Sequence, residues 1–298
     1  MRTPEWALVQ YRLPGDTRTR AGARTGDGTV YAVDELGGGT LLDALAHWDE
    51  VAAALAGWSP AAGAPGMVAD GRLAAPLTYP GKVLCSGANY YSHAAEMGVA
   101  APDPEGEPFF FLKPPATTVI GTGEPIPCPA TALLDWEAEL GVVIGRRAKD
   151  VLRENASDFI AGYLVANDVS ARDRTARADA VSPHFVYDWL AHKGQDGFCP
   201  LGPGIVPAWQ VEDPQQLQLR LSVNGVVRQD CSTADMVITV DRLVAAASRL
   251  CTLLPGDVIL TGTPAGVGVP RGEFLHPGDV VRIEIDGVGM LENPVVAA

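Results

Sequence analysis

Glu137 and Glu139 stand two residues apart in the run Leu134-Asp135-Trp136-Glu137-Ala138-Glu139-Leu140-Gly141-Val142-Val143-Ile144. The apolar, β-branched tail of the run predicts a strand, on which residues i and i+2 share a face. Two carboxylates side by side repel each other. On an apolar strand they need either a solvated edge, the commoner case for an E-x-E pair, or a compensating cation. Asp168 adds a third acid. It follows the apolar run that opens at a Gly162 break and is expected at the C-terminal end of a strand, near the interior; the plain alternative is a turn aspartate. Three oxygen donors with positions left for water or substrate suit Mg²⁺ or Mn²⁺. Neither segment holds Cys or His, which argues against zinc.

His93 and Glu96 are three apart in Asn89-Tyr90-Tyr91-Ser92-His93-Ala94-Ala95-Glu96-Met97, the spacing of neighbours on a helical turn. A carboxylate bonded to one imidazole nitrogen fixes the tautomer and leaves the other nitrogen to deprotonate water, although a surface pair of this kind is common and weak. Lys113 directly follows the apolar Phe109-Phe110-Phe111-Leu112, and Lys193 lies in Leu190-Ala191-His192-Lys193-Gly194-Gln195-Asp196. Either could hold a substrate carboxylate or an oxyanion; the alternative for each is a solvated surface lysine, which the aromatic flank of Lys113 disfavours.

The elements that must position these groups are mostly short strands. With 33 Gly and 24 Pro in 298 residues, turns outnumber long helices. Strands are expected at 7–13, 29–33, 139–144, 162–169, 217–223, 258–260 and 280–285, with Asn224-Gly225 closing a hairpin. Helical spacing marks 40–58, capped by Thr40, and 240–251. The Pro/Gly-rich stretch 59–66 is the best linker candidate. The pattern is that of a β-rich roll or barrel-like domain. A net charge of -14 without a basic cluster excludes a nucleic-acid binder. The five Cys are odd in number and widely spaced, so they are read as reduced thiols. No apolar leader and no spanning apolar run is present, so a cytoplasmic protein without a membrane partner is expected.

Taken together, the chain resembles the fumarylacetoacetate hydrolase superfamily. The resemblance runs, in the family's order, through Gly81-Lys82-Val83-Leu84-Cys85, Asn89-Tyr90, His93 and Glu96, and Phe111-Leu112-Lys113-Pro114. It continues through Glu137-Ala138-Glu139-Leu140-Gly141, Asn167-Asp168-Val169-Ser170-Ala171-Arg172-Asp173, Cys199-Pro200-Leu201-Gly202-Pro203, Val223-Asn224-Gly225 and Thr261-Gly262-Thr263-Pro264-Ala265-Gly266-Val267-Gly268. It implies a β-rich α+β fold, a mixed β-sandwich roll spanning 73–298 with a small N-terminal β domain over 1–72, and a homodimer. It implies Mg²⁺ or Mn²⁺ on Glu137, Glu139 and Asp168, catalysis by His93 and Glu96 on a mobile segment and by Lys193, and substrate contacts from Lys113, Arg172 and Thr263. Two departures stand out. Gly194 follows Lys193 where relatives often have Ser, and Thr175 stands three after Arg172 where many have Gln.

The activity expected first is hydrolysis of a C–C bond in a small 2-oxo or 1,3-dicarbonyl acid such as an acylpyruvate or fumarylacetoacetate. The acid would chelate the ion, the His93–Glu96 pair would activate water for attack on the distal carbonyl, and Lys193 would stabilise the oxyanion. The alternative is decarboxylation or isomerisation of a 2-oxo diacid of the oxaloacetate or 2-hydroxyhepta-2,4-diene-1,7-dioate type. A third class, a metal-dependent binding protein on the same fold, is disfavoured by the intact set of acids and bases. Residues 99–107, with Pro102, Pro104 and Gly106 among acids, are expected to shape the substrate pocket.

Overall fold

The computed structural model describes residues 2–59, 66–68, 71–131 and 133–298, so most of the expected 59–66 linker lies outside the described residues. The strand Ala138–Ile144 is central and buried along its whole length. Its β-branched and small residues suit a strand packed on both faces. It pairs antiparallel with Ile160–Asn167 on one side and with Val258–Leu260 on the other. Beyond Val258–Leu260 lie Val83–Ser86, in parallel, and Phe110–Lys113, antiparallel. Beyond Ile160–Asn167 lie Cys199–Pro207 and then the N-terminal strands Trp6–Arg12, Arg20–Thr25 and Val30–Ala32. A second sheet is ordered Val226–Ser232, Gln218–Val223, Val280–Ile285, Gly289–Ala297 and Ile126–Cys128.

Alternation along the central strand divides the core. Leu140, Val142 and Ile144 pack with Leu219, Leu221, Ile283 and Leu291 of the second sheet. Val143 faces the other way and packs with Leu164, Leu8, Leu41, Leu45 and Trp48. The segment assigned to a small N-terminal unit therefore shares a core with the larger sheet, and its first strand hydrogen-bonds to Cys199–Pro207 at the Leu8–Ile205 pair.

Local differences from the sequence expectations have physical causes. The helical pattern over 40–58 forms two short helices, Leu41–Leu45 and Trp48–Leu55. The Thr40–Asp43 capping box opens the first, and the chain departs from helical geometry at His47, so that Trp48, Val51 and Leu55 join Leu41 and Leu45 in one core. Gly162 does not break its strand, which starts at Ile160. Gly162 instead permits close approach, since a Cβ there would collide with the Val206 carbonyl of the neighbouring strand. The Asn224-Gly225 hairpin and the helix Val240–Leu250 lie where expected.

The two central strands fix the site. Ala138 pairs with Asn167, so Glu137 and Asp168 sit opposite each other one residue beyond, where the Asp168 N–H donates to the Glu137 carbonyl at 2.9 Å. Gly162→Ala should push these strands apart and destabilise the fold by about 1–3 kcal/mol, the usual cost of overpacking; denaturant unfolding measures it.

Candidate metal and active site

Glu137, Glu139 and Asp168 converge. One oxygen from each lies within 4.8 Å of the others, and all three residues are buried. The solvated-edge explanation for the E-x-E pair is thereby removed, because the strand is central. Lys193 Nζ donates to Glu137 Oε1 at 2.9 Å and to Asp168 Oδ2 at 2.7 Å. Arg172 donates through Nη2 to Glu137 Oε1 at 2.6 Å and through Nε to Asp135 Oδ2 at 2.8 Å. Glu139 Oε2 accepts from the Gly262 N–H at 2.6 Å.

Lys113 departs from the expectation that it touches substrate. It is fully enclosed, and its ammonium donates to the carbonyls of Val169, Lys193 and Phe198 at 2.9, 2.8 and 2.7 Å. An ammonium has three N–H donors, so all are spent. Asp168 Oδ1 lies 2.7 Å from the same nitrogen and forms a buried ion pair with it. Lys113 thus buttresses Asp168 from behind through its charge.

Charge explains why the cluster calls for more positive charge than the protein supplies. Burial opposes ionisation of Glu137, but the Lys193 ammonium and the Arg172 guanidinium outweigh it and hold the carboxyl well below the usual range. Burial, followed by the Asp168 and Glu137 carboxylates, pushes Glu139 well above it. Two carboxyls on one face are therefore shifted in opposite directions. Three converging buried acids with hard oxygen donors, one of them raised by burial and its carboxylate neighbours, fit a hard divalent cation such as Mg²⁺ or Mn²⁺.

The three acids open onto a cavity of about 440 Å³, which His93, Arg172, Lys193 and Thr263 also line. His93 stands on the helix Tyr91–Glu96, with Nδ1 3.5 Å from Glu96 Oε2. Both Glu96 oxygens accept from the Gly266 N–H, at 2.9 and 3.0 Å. The helix is also tied by the Ser92 N–H to Asp235. Thr263 Oγ1 donates to the Ala138 carbonyl at 2.9 Å and accepts from Gln229 Nε2 at 2.8 Å. Pro102 and Glu107 of the expected pocket-shaping segment line the cavity. Arg249 grips Glu107 from the helix Val240–Leu250 at 2.9 Å.

Sequence reasoning passed over several of these residues. Asp135 is buried and anchors Arg172 while accepting from the Gly268 N–H at 2.7 Å; it extends the same i, i+2 spacing as Glu137 and Glu139, so a signal was there. Phe111 and Trp189 stack at 4.9 Å to form an aromatic wall, with His192 stacked on Trp189 at 5.7 Å. Nothing in their spacing marks them, because the two aromatics come from separate elements.

Two outcomes follow from this geometry. Lys113→Met should cost about 3 kcal/mol or more in denaturant unfolding, because a buried charge loses its partner and carbonyls lose their donor. Mg²⁺ binding should be accompanied by proton release, since burial and the neighbouring carboxylates raise Glu139 and its carboxyl must ionise to bind, so affinity should fall as pH is lowered. Calorimetry in buffers of different ionisation enthalpy reads the proton, and Glu139→Gln should abolish its release.

Comparisons with known proteins agree with the geometry. Residues 82–296 match the fumarylacetoacetate (FAA) hydrolase C-terminal family. The chain is 45% identical over 227 residues to the mitochondrial oxaloacetate tautomerase fahd2 of Xenopus laevis, an alignment covering 75% of this chain and 68% of that protein. The fumarylacetoacetate hydrolase of psychrophilic Exiguobacterium antarcticum shares the β-rich α+β fold at a TM-score of 0.80 and 33% identity, over 98% of this chain and 100% of that one. A maleylpyruvate hydrolase of Sphingobium sp. SYK-6, solved with manganese(II) and pyruvate, aligns at a TM-score of 0.77 and 29% identity over 98% and 99% of the two chains. The matched span, the shared fold and the order of the motifs lead to one conclusion: the chain belongs to the fumarylacetoacetate hydrolase family.

Proposed function

We propose that the protein is a divalent-metal-dependent enzyme that shifts a small 2-oxo diacid of the oxaloacetate type between its keto and enol forms. The observation that carries this reading is the buried Glu137, Glu139 and Asp168 cluster opening, with Lys193, Arg172 and His93, onto one cavity. The 45% identity to an oxaloacetate tautomerase ranks tautomer exchange above the C–C hydrolysis expected first from the sequence. The same groups could serve a hydrolase, and the similarity to maleylpyruvate hydrolase makes acylpyruvate cleavage the second reading.

Keto–enol exchange needs charge stabilisation at an oxygen and a group that carries a proton. Mg²⁺ or Mn²⁺ held by Glu137, Glu139 and Asp168 would supply Lewis-acid polarisation of a substrate oxygen. Arg172 and Lys193 give the cavity the positive wall that a diacid requires. His93 carries the proton: with Nδ1 turned to Glu96, Nε2 is the nitrogen left for transfer. The glutamate is itself held by Gly266, so the imidazole is oriented by a fixed partner. A homodimer belongs to the same proposal, and light scattering tests it.

Enol-to-keto conversion of oxaloacetate, followed by ultraviolet absorbance with Mg²⁺ present, tests the reading beside pyruvate formation and acylpyruvate cleavage. Accelerated tautomerisation is the expected result. Cleavage of acylpyruvate without any acceleration of oxaloacetate tautomerisation would overturn it. His93→Ala should lower turnover by about 10²–10⁴-fold, the usual worth of a general acid–base group, with Mg²⁺ affinity unchanged.

A further inference from the structure

His192 lines the same cavity, yet nothing above gives it a part in the chemistry. The residue is buried and its ring stacks on Trp189. Nδ1 lies 3.0 Å from Thr175 Oγ1, and that hydroxyl lies 2.9 Å from the Arg172 carbonyl. A hydroxyl has one proton to give, and a carbonyl can only accept. With the Thr175 proton given to the Arg172 carbonyl, its oxygen accepts from Nδ1–H. In that tautomer Nε2 carries a lone pair and no hydrogen. Nε2 has no hydrogen-bond partner among the described residues. Burial, then the Lys193 and Arg172 charges, hold the His192 pKa down to about 2, so protonation does not supply the missing hydrogen.

A buried acceptor without a donor is costly, and such atoms are rare enough in folded proteins to require a reason. Several other polar groups of the wall are already engaged. Lys193 and Arg172 only donate, so they hold keto and enol acids alike. Glu137 and Asp168 face those cations and, with Glu139, are assigned to the metal ion, and the Thr263 hydroxyl already has both a donor and an acceptor.

We propose that His192 is a specificity-determining residue whose Nε2 accepts a hydrogen bond from a hydroxyl of the bound acid, so that the cavity favours an enol or hydroxy acid over its counterpart lacking that proton. This rests on the reading of the cavity as the site of a small 2-oxo diacid and names the form of the acid it selects. Nε2 is enclosed in this structure, so the donor must press against the ring edge to reach it. The same enclosure excludes water and strengthens the bond once made.

The test is calorimetric binding of malonate and hydroxymalonate, which differ by one hydroxyl, to the full chain with Mg²⁺. The wild type should prefer hydroxymalonate. His192→Phe keeps an aromatic ring but no acceptor, and should cut that preference about five- to tenfold, the worth of one hydrogen bond, while leaving malonate affinity unchanged. His192→Gln, whose side-chain carbonyl reaches about as far as Nε2, should restore most of it. Thr175→Val retains the imidazole but frees its tautomer, and should reduce the preference in part; together with His192→Gln it decides the matter if the Phe variant does not fold. An equal preference in every variant, or no binding of either acid by the wild type, would overturn the assignment. Oxaloacetate tautomerisation measured on the same samples separates the two readings. Lost preference with no turnover in the wild type sinks the functional reading alone, and turnover with an unaltered preference sinks only the role of His192.

Discussion

Carboxylates that are brought together out of water repel one another and lose their hydration, and the site exists only because the fold sets cations among them. The Lys113 ammonium stands nearest the root of this arrangement. It faces Asp168 while its hydrogens fasten the carbonyls of Val169, Lys193 and Phe198. Three chain segments are thus pinned around one buried charge, and Lys193 among them places the next ammonium between Glu137 and Asp168. Arg172, held by Asp135, completes the set. Burial of charge on this scale is tolerated only where partners and hydrogen bonds are both present.

The central strands turn this electrostatic arrangement into a fixed geometry. Ala138–Ile144 has hydrogen-bonded neighbours on both sides, so its register admits no slip without moving every buried side chain to the wrong face. Glu137 and Glu139 share a face with Val143 and not with Leu140 because of the two-residue period. Asp168 arrives opposite Glu137 because Asn167 pairs with Ala138.

Much of this was legible in the sequence, for reasons that can be named. Periodicity of two puts Glu137 beside Glu139, and an apolar run ending in Asp168 reads as a strand delivering an acid. Local spacing also gives the His93–Glu96 turn, the Asn224-Gly225 hairpin and the helix Val240–Leu250. What stayed hidden depends on contacts remote along the chain. Lys113 finds its partner carbonyls 56, 80 and 85 residues away, so no local pattern could reveal that it is walled in. The turn at His47 and the close approach at Gly162 answer to tertiary packing, not to propensity. His192 was visible only as a neighbour of Lys193; its contact with Thr175, 17 residues away, has no local signal.

The elements around the cavity differ in how freely they can change. The three acids hang from paired central strands, where an insertion or deletion would wreck the ladder. Pro102 and Glu107, by contrast, lie on an irregular segment fastened by surface ion pairs such as Arg249–Glu107. Trp189 and His192 ride on the five-residue helix Trp189–Lys193. Descendants of such a scaffold can therefore rewrite which acid they accept by editing a roof and a short helix, while inheriting the ion-holding floor intact.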